Sequence, residues 1–402
     1  MGRERIRILD GGMGTTLESS GHSVSSDLWG SELLHTHPEV IQGIHRGYVE
    51  AGADLVESCT YQLTPSNLSS YLASTTCNTS EECDRQSKEL LRTSVNLVSS
   101  SLDSTNASQG VVFSCGPYGS TLKPGAEYSG IYPPPFGPNS TIPGEKVKVN
   151  YFPLTEEGRA LEEEAINHLT QFHLDRLLSL IPSGDGQEVW RKIEWIGFET
   201  IPLLYEIKAI RRCMAELNRI LREKYEIDQQ KAGEEGEDRW YIKKFWISSP
   251  FPDARHPQLS SNNQPITVES LLQTLLDPEE GAIPHGVGIN CTNPSYLPAL
   301  TDQFTQAIKP KIRKMDSPPR FVLYPDGGQV YDVNTRTWSN PPDGPANAVD
   351  WAKGVLTVVK ELEEDRDDEG RYTWDGVIVG GCCKTSFGEI RALKRGLDGL
   401  YV

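Results

Sequence analysis

Two periodicities alternate along the chain. Short, mostly apolar runs rich in β-branched residues, each closing on Gly or a polar residue, are followed by longer stretches in which apolar positions recur every three to four residues. The short runs predict eight strands, at residues 5–10, 54–61, 110–116, 194–200, 243–249, 286–291, 320–324 and 376–382. The longer pattern predicts helices at 38–52, 81–101, 155–180, 203–225, 267–276, 296–308, 346–364 and 386–394. Several of these open on a capping residue: Thr155 precedes Glu156 and Glu157, and Thr267 precedes Glu269. A cap oxygen and first-turn acids both satisfy the unpaired N–H groups at a helix start. Eight strand-then-helix repeats are the pattern of an α/β protein built as a (β/α)8 TIM barrel. A doubly wound open sheet is the alternative. Its phosphate-binding turn requires G-x-G-x-x-G after the first strand, and Gly11-Gly12-Met13-Gly14 has the wrong spacing.

A TIM barrel usually takes about 250 residues, and the chain has 402, so the expectation is a single barrel domain over 1–402 with long loop insertions. Composition shifts locate them. Residues 123–153 are rich in Pro, Gly and aromatics, and should be partly ordered by those rings. Residues 229–239 (QQKAGEEGEDR) and 365–371 read as charged, solvent-facing connectors, and 255–265 as a further irregular stretch. Only 123–153 and 255–265 follow the C-terminal ends of strands, where a barrel places its active site.

Charge narrows the possible partners. With 56 acids against 39 bases the net charge is −17, a field that repels polyanions and so disfavours a nucleic-acid or anionic-membrane surface, while welcoming a small cationic substrate. The opening MGRERIRILD has no apolar core of a secretory signal, and no run reaches the roughly 18 apolar residues of a membrane span. A cytoplasmic protein without a membrane or nucleic-acid partner is therefore expected. Eight cysteines are too sparse for a disulfide scaffold. In a reducing compartment the adjacent Cys382 and Cys383 point to metal binding or reactivity before bridging.

A barrel brings all strand ends to one rim. The residues there are Asp10, Glu57, Cys59, Tyr61, Cys115, Glu199, Ser248, Ser249, Asn290, Cys291, Asp326, Cys382 and Cys383. Cys291, Cys382 and Cys383 can therefore meet although about 90 residues separate the first from the pair. Three soft sulfur ligands select zinc, and a three-ligand set leaves the fourth tetrahedral position open, as in a catalytic site. Three thiolates and one divalent cation sum to about −1, which still permits a substrate thiol to be held as thiolate and favours a cationic electrophile nearby. Blander readings apply elsewhere. Cys59, Cys115 and Cys213 read as small buried hydrophobes, Cys77 and Cys83 as exposed and uninvolved, and His35 and His37 as surface residues. Asp10 is equally readable as a turn carboxylate and Glu199 as a helix-start acid before Pro202.

These residues sit in segments that resemble the zinc-dependent homocysteine S-methyltransferases, in the branch that uses S-methylmethionine or S-adenosylmethionine and no cobalamin. The similar segments run through nearly the whole chain: LDGGMGTTLE at 9–18, YVEAGADLVESCTY at 48–61, GPYGSTLKPGAEYSGIY at 116–132, FETIP at 198–202, VGINCTNP at 287–294 and VGGCCKTSFGEIRAL at 379–393. The resemblance implies a TIM barrel in which Cys291, Cys382 and Cys383 hold Zn2+ and the metal holds the homocysteine sulfur. It further implies that Asp10, Gly11 and Glu199 contact the amino-acid end of homocysteine, carboxylates accepting from its ammonium, with Asn290 as a substrate-site residue beside the ligand. The implied reaction moves a methyl group from a sulfonium donor to the thiolate, giving methionine, with Tyr61, Tyr118 or Tyr128 available for cation–π contact with the donor. Departures at Ser58-Cys59-Thr60 and in the proline-rich 133–135 segment bear on which donor is used. Two other readings fit the same residues: methylation of another thiol or selenol such as selenohomocysteine, and a noncatalytic zinc- or thiol-binding barrel.

Overall fold

The computed structural model describes residues 5–24, 26, 28–139, 149–181, 187–229, 241–313, 315, 317–332, 337–339, 341 and 344–400. Eight parallel strands carry the architecture: β1 Ile6–Ile8, β2 Leu55–Glu57, β3 Gly110–Cys115, β4 Ile193–Phe198, β5 Lys244–Ser249, β6 Gly286–Asn290, β7 Arg320–Tyr324 and, beyond a hairpin of β8 Val330–Asp332 and β9 Thr337–Ser339, β10 Val377–Val379. They pair in the order β1-β10-β7-β6-β5-β4-β3-β2. A parallel bridge between Leu9 and Leu55 returns β1 to β2, with the Asp54 N–H donating to Ile8 O (2.7 Å) and the Asp10 N–H to Leu55 O (3.1 Å). This closure makes the sheet a TIM barrel and sets aside the open doubly wound alternative, which would leave two unpaired edges.

Alternation along the strands separates two apolar regions. Leu9, Leu55, Val112, Trp195, Trp246, Val322, Tyr324 and Ile378 fill the barrel interior, while their neighbours Ile8, Val56, Val111, Ile196, Ile247, Phe321 and Val377 point outward against the helices. Among the described residues, each barrel strand is followed by a helix of that outer layer. These are α3 Pro38–Ala51, α5 Ser80–Ser99, α6 Glu156–Leu178, α8 Leu204–Gln229, α9 Val268–Leu276, α10 Leu297–Ile312, α11 Ala348–Glu364 and α12 Phe387–Leu400. The capping logic holds at atomic detail: Thr155 Oγ1 accepts from the Gly158 N–H and Thr267 Oγ1 from the Ser270 N–H, each at 3.1 Å. Four shorter helices, α1 Met13–Ser19, α2 Leu33–Thr36, α4 Pro65–Thr75 and α7 Gln187–Lys192, were not visible as periodic patterns because they are too short or too polar to carry one.

β2 and β10 stop well short of the ends of their apolar runs. Pairing of β2 stops at Glu57, because the Ser58 and Thr60 hydroxyls bond each other (2.6 Å) and Thr60 Oγ1 donates to Ser114 O (2.8 Å), side chains competing with the ladder. Pairing of β10 stops at Val379, where the chain crosses the end of β1 so closely that a Cβ on Gly380 would lie 2.7 Å from Asp10 O. Of the insertions, the two at strand ends interlock: Asn150 donates to Ser129 O (2.8 Å) and Pro257 O (2.9 Å) and accepts from the Leu259 N–H (2.9 Å). Tyr132 and Phe152 are buried, as the aromatic content of 123–153 implies; residues 140–148 lie outside the described residues. The 365–371 segment is exposed over 368–371, as a solvent-facing connector should be, with one buried residue. Its Asp367 is buried and accepts from the Glu369 and Arg371 N–H groups at 2.9 Å, so that charge is spent on building a turn. The 229–239 connector falls outside the described residues apart from Gln229. No helix among the described residues is long and apolar enough to cross a membrane.

Candidate active site

The top interior layer of the barrel is polar. Continuing the alternation past Leu55, Val112, Trp195 and Trp246 turns Glu57, Ser114, Glu199 and Ser248 inward. Asp10 joins them from the end of β1, accepting from the Glu57 N–H at 3.0 Å through Oδ2. Glu199 accepts a short hydrogen bond from the Ser114 hydroxyl. Burial raises the carboxyl pKa of all three acids, Asp10, Glu57 and Glu199; the Glu199 charge raises Asp10 further, and Glu199 and Asp10 together raise Glu57. Glu199 is pushed up to about 7. Oδ1 of Asp10 and Oε1 of Glu57 are buried with no protein partner, so acceptor capacity remains for a cation entering the barrel mouth.

Asn290 is fully buried at the end of β6, where it accepts from the Thr200 N–H (2.9 Å) and the Ser248 hydroxyl (3.0 Å) and donates to Thr200 Oγ1 (2.7 Å). Its role is to hold the residue after Glu199 in place. Thr200 needs that support, because its φ of 62° lies in the left-handed region that non-glycine residues avoid. Cys291 (φ 46°) and Lys384 (φ 60°) share that conformation. Turns of this kind therefore stand at the ends of β4 and β6 and just beyond β10.

The three sulfur atoms expected to meet do so: Cys291, Cys382 and Cys383 lie within 4.8 Å of one another. Tetrahedral zinc with sulfur ligands near 2.3 Å needs sulfurs roughly 3.8 Å apart, so the donor set fits a thiophilic divalent cation. Cys291 and Cys382 are joined as a disulfide, with Cα atoms 5.5 Å apart. Proximity that suits a shared ion also suits an S–S bond, and the three-thiolate set is complete only when that pair is reduced. Burial, with Asp326 and Glu199 nearby, pushes the Cys383 thiol up to about 12. A thiol so placed stays protonated near neutral pH unless a cation is supplied. Backbone contacts fix the cluster: the Cys291 N–H donates to Tyr324 O (3.2 Å), the Cys382 N–H to Pro325 O (2.8 Å) and the Gly327 N–H to Cys383 O (2.8 Å). Gly11 and Gly12 run alongside. A Cβ on Gly12 would lie 2.5 Å from Cys382 O, which explains the glycine.

The tyrosines divide. Tyr128 lies beside Cys383 and Tyr61 beside Thr200, so both belong to the site. Tyr118 does not. Its ring stacks on Phe136 (centroids 4.0 Å) and meets Phe172 (5.3 Å), and it borders an outer recess of about 1620 Å³ whose lining contains none of the thiols or clamp acids. Cys59, Cys115 and Cys213 are buried as small hydrophobes. Cys83 is also buried, contrary to expectation, because it falls on the inner face of α5. Sequence reading missed Ser114 and Tyr324, whose only signal is inward parity on β3 and β7.

Comparison with known proteins follows the same residues. A family profile described as homocysteine S-methyltransferase matches residues 7–397. The chain is 26% identical to the homocysteine S-methyltransferase YbgG of Bacillus subtilis (strain 168), covering 97% of this chain and 95% of that one. It is also 26% identical to homocysteine S-methyltransferase 1 of Zea mays, covering 98% and 94%. Among solved structures, the metallated form of the homocysteine methyltransferase MmuM from Escherichia coli superposes with a TM-score of 0.56 at 22% identity, covering 98% of this chain and 97% of that one. Its oxidised form superposes equally, at 0.56 and 23%.

Proposed function

From the premise that the chain belongs to the homocysteine S-methyltransferase family, we propose that it transfers a methyl group from a sulfonium donor, S-methylmethionine or S-adenosylmethionine, to homocysteine, with Zn2+ held by Cys291, Cys382 and Cys383. The observation that carries this reading is the convergence of three sulfurs and a buried acidic clamp on one barrel mouth. When bound, zinc supplies the positive charge that keeps the acceptor sulfur a thiolate near neutral pH.

The chain's own residues do the rest. Asp10 and Glu199 accept from the substrate ammonium, Gly11 permits close approach of the backbone, and Asn290 keeps Thr200, and with it Glu199, in register. The acceptor sulfur attacks the methyl carbon in line: a new S–C bond forms as the sulfonium S–C bond breaks, and the donor leaves as a neutral thioether. No general base takes part in that step. Opposite charges cancel as the methyl moves, so aromatic faces from Tyr61 and Tyr128 beside the thiols favour the transition state over separated ions. Because the thiols and the acceptor must stay reduced, we place the reaction in the cytoplasm.

The test uses reduced, zinc-loaded protein with homocysteine and methyl-labelled S-methylmethionine or S-adenosylmethionine, beside a chelator-treated control. Label in methionine that disappears on chelation supports the proposal. Transfer unaffected by chelation, or no transfer from either donor at full zinc occupancy, overturns it.

A further inference from the structure

The clamp read from the sequence has two carboxylates, yet the barrel mouth holds three. Glu57 ends β2, two residues beyond Leu55, which fills the barrel interior, while Val56 between them faces the helices; parity therefore turns Glu57 inward. Its N–H is bonded to Asp10 Oδ2, so the two residues are held side by side. Glu199 reaches the same place by the same parity from Trp195 on β4. The fully buried Oε1 of Glu57 and Oδ1 of the nearly fully buried Asp10 have no protein partner, and one oxygen of Glu199 is already taken by Ser114. No Lys or Arg ion pair to any of the three acids is present among the described residues, so the cluster is not a neutralised structural network.

We propose that Glu57 is a third acceptor of the acceptor-substrate clamp, so that Asp10, Glu57 and Glu199 each take one N–H of a primary ammonium. This inference rests on the acceptor reading above and deepens it. A primary ammonium carries three donors, and three carboxyl groups around it leave none unpaired in a buried site. Each N-methylation of the substrate removes one donor and adds bulk, and loss of the amine leaves three desolvated acids facing one another. The site therefore selects an unsubstituted α-amino thiol over its N-methyl and deaminated relatives. Burial and mutual repulsion hold protons on this cluster when it is empty, which relieves the excess charge until a cation enters.

The isosteric variant Glu57→Gln tests this, with methylation of homocysteine, N-methylhomocysteine and 4-sulfanylbutanoate as readout. In zinc-loaded wild type, homocysteine should be preferred over both analogues. In the variant its KM should rise about 10- to 100-fold, the range for losing a charged hydrogen bond, while kcat changes little and the preference for homocysteine over the other two narrows. An unchanged KM and preference overturn the proposal. Melting of the empty protein separates a structural role: relief of repulsion should leave the variant's melting temperature equal or higher, whereas a lower one with an unaltered homocysteine-induced shift overturns the proposal too. Calorimetry with L-2-aminobutyrate, which has the ammonium but no thiol, keeps the two readings apart. Binding that weakens in the variant supports the three-acid clamp even if homocysteine proves not to be the acceptor; binding insensitive to the variant overturns the clamp even if homocysteine is methylated.

Discussion

At the scale of single residues, buried ionisable groups dominate. Glu199, ordinarily near 4.5, is raised to about 7. A carboxyl whose folded pKa is raised contributes stability that is present below about 4.5 and is lost as pH climbs through about 7. His45 works at the other end: fully buried with neither ring nitrogen bonded, it is lowered from 6.5 to about 3, so its contribution is present above 6.5 and lost as pH falls toward 3. Thermal melts of the empty protein should therefore show stability declining on both sides, and Glu199→Gln should flatten the loss between pH 5 and 7 that Glu199 causes. Homocysteine, by bringing an ammonium to the clamp, should stabilise more at pH 8 than at pH 6; a shift independent of pH would place the amine elsewhere. At the thiols, Cys383→Ser replaces a soft ligand by a hard one and should lower bound zinc below one equivalent after mild dialysis, with methyl transfer falling at least about 100-fold. Full retention of metal and turnover would remove Cys383 from the ligand set.

At the scale of elements, the long loop after β3 is tied to the helices beneath it by Glu206, besides the Asn150 lock. Glu206 on α8 is fully buried and accepts from the Tyr118 N–H (2.7 Å), the Tyr132 hydroxyl (2.6 Å) and His173 Nε2 (3.1 Å). It thus joins the loop that carries Tyr128 to α6 and α8. Glu206→Gln loses the charge in all three bonds and should destabilise the protein by about 2–3 kcal/mol, with faster proteolysis within 117–153 and a raised KM for the donor. Unaltered donor kinetics in a fully folded variant would separate this anchor from the site. A smaller effect belongs to the helix start: Thr155→Ala removes the acceptor for the Gly158 N–H and should lower stability by about 1 kcal/mol, measured by urea denaturation.

At the scale of the whole molecule, the net charge of −17 and the acidic barrel mouth act together on a cationic donor. Association should slow with added salt, so kcat/KM for the sulfonium donor should fall between about 20 and 300 mM ionic strength while kcat stays nearly constant. An increase with salt would show that steering has no part. Reduction matters at this scale as well, because the barrel draws Cys291 and Cys382 together from 91 residues apart. Protein purified without a reductant should take up zinc only after thiols are restored.

Strand and helix order was legible in the chain because periodicity is local: each run of β-branched residues or each 3.6-residue stripe carries its own signal, and eight repeats of the pair leave few topologies. The candidate thiols were legible for a related reason, since Cys291, Cys382 and Cys383 follow just beyond strand ends, and a barrel collects strand ends. Their specific roles rested on resemblance to a family, which the match over 7–397 bears out as to kinship. Short helices such as α1 and α4, the burial of Cys83 and the removal of Tyr118 from the site were not legible, because each depends on which neighbour packs against it. Tertiary structure alone decided that Asn290 serves Thr200, that Asn150 locks two distant loops together, and that Glu57 lies beside Asp10 and Glu199. The physical reason is one of range: periodicity and capping act within a few residues, whereas desolvation and electrostatic coupling act across strands that only barrel closure makes neighbours.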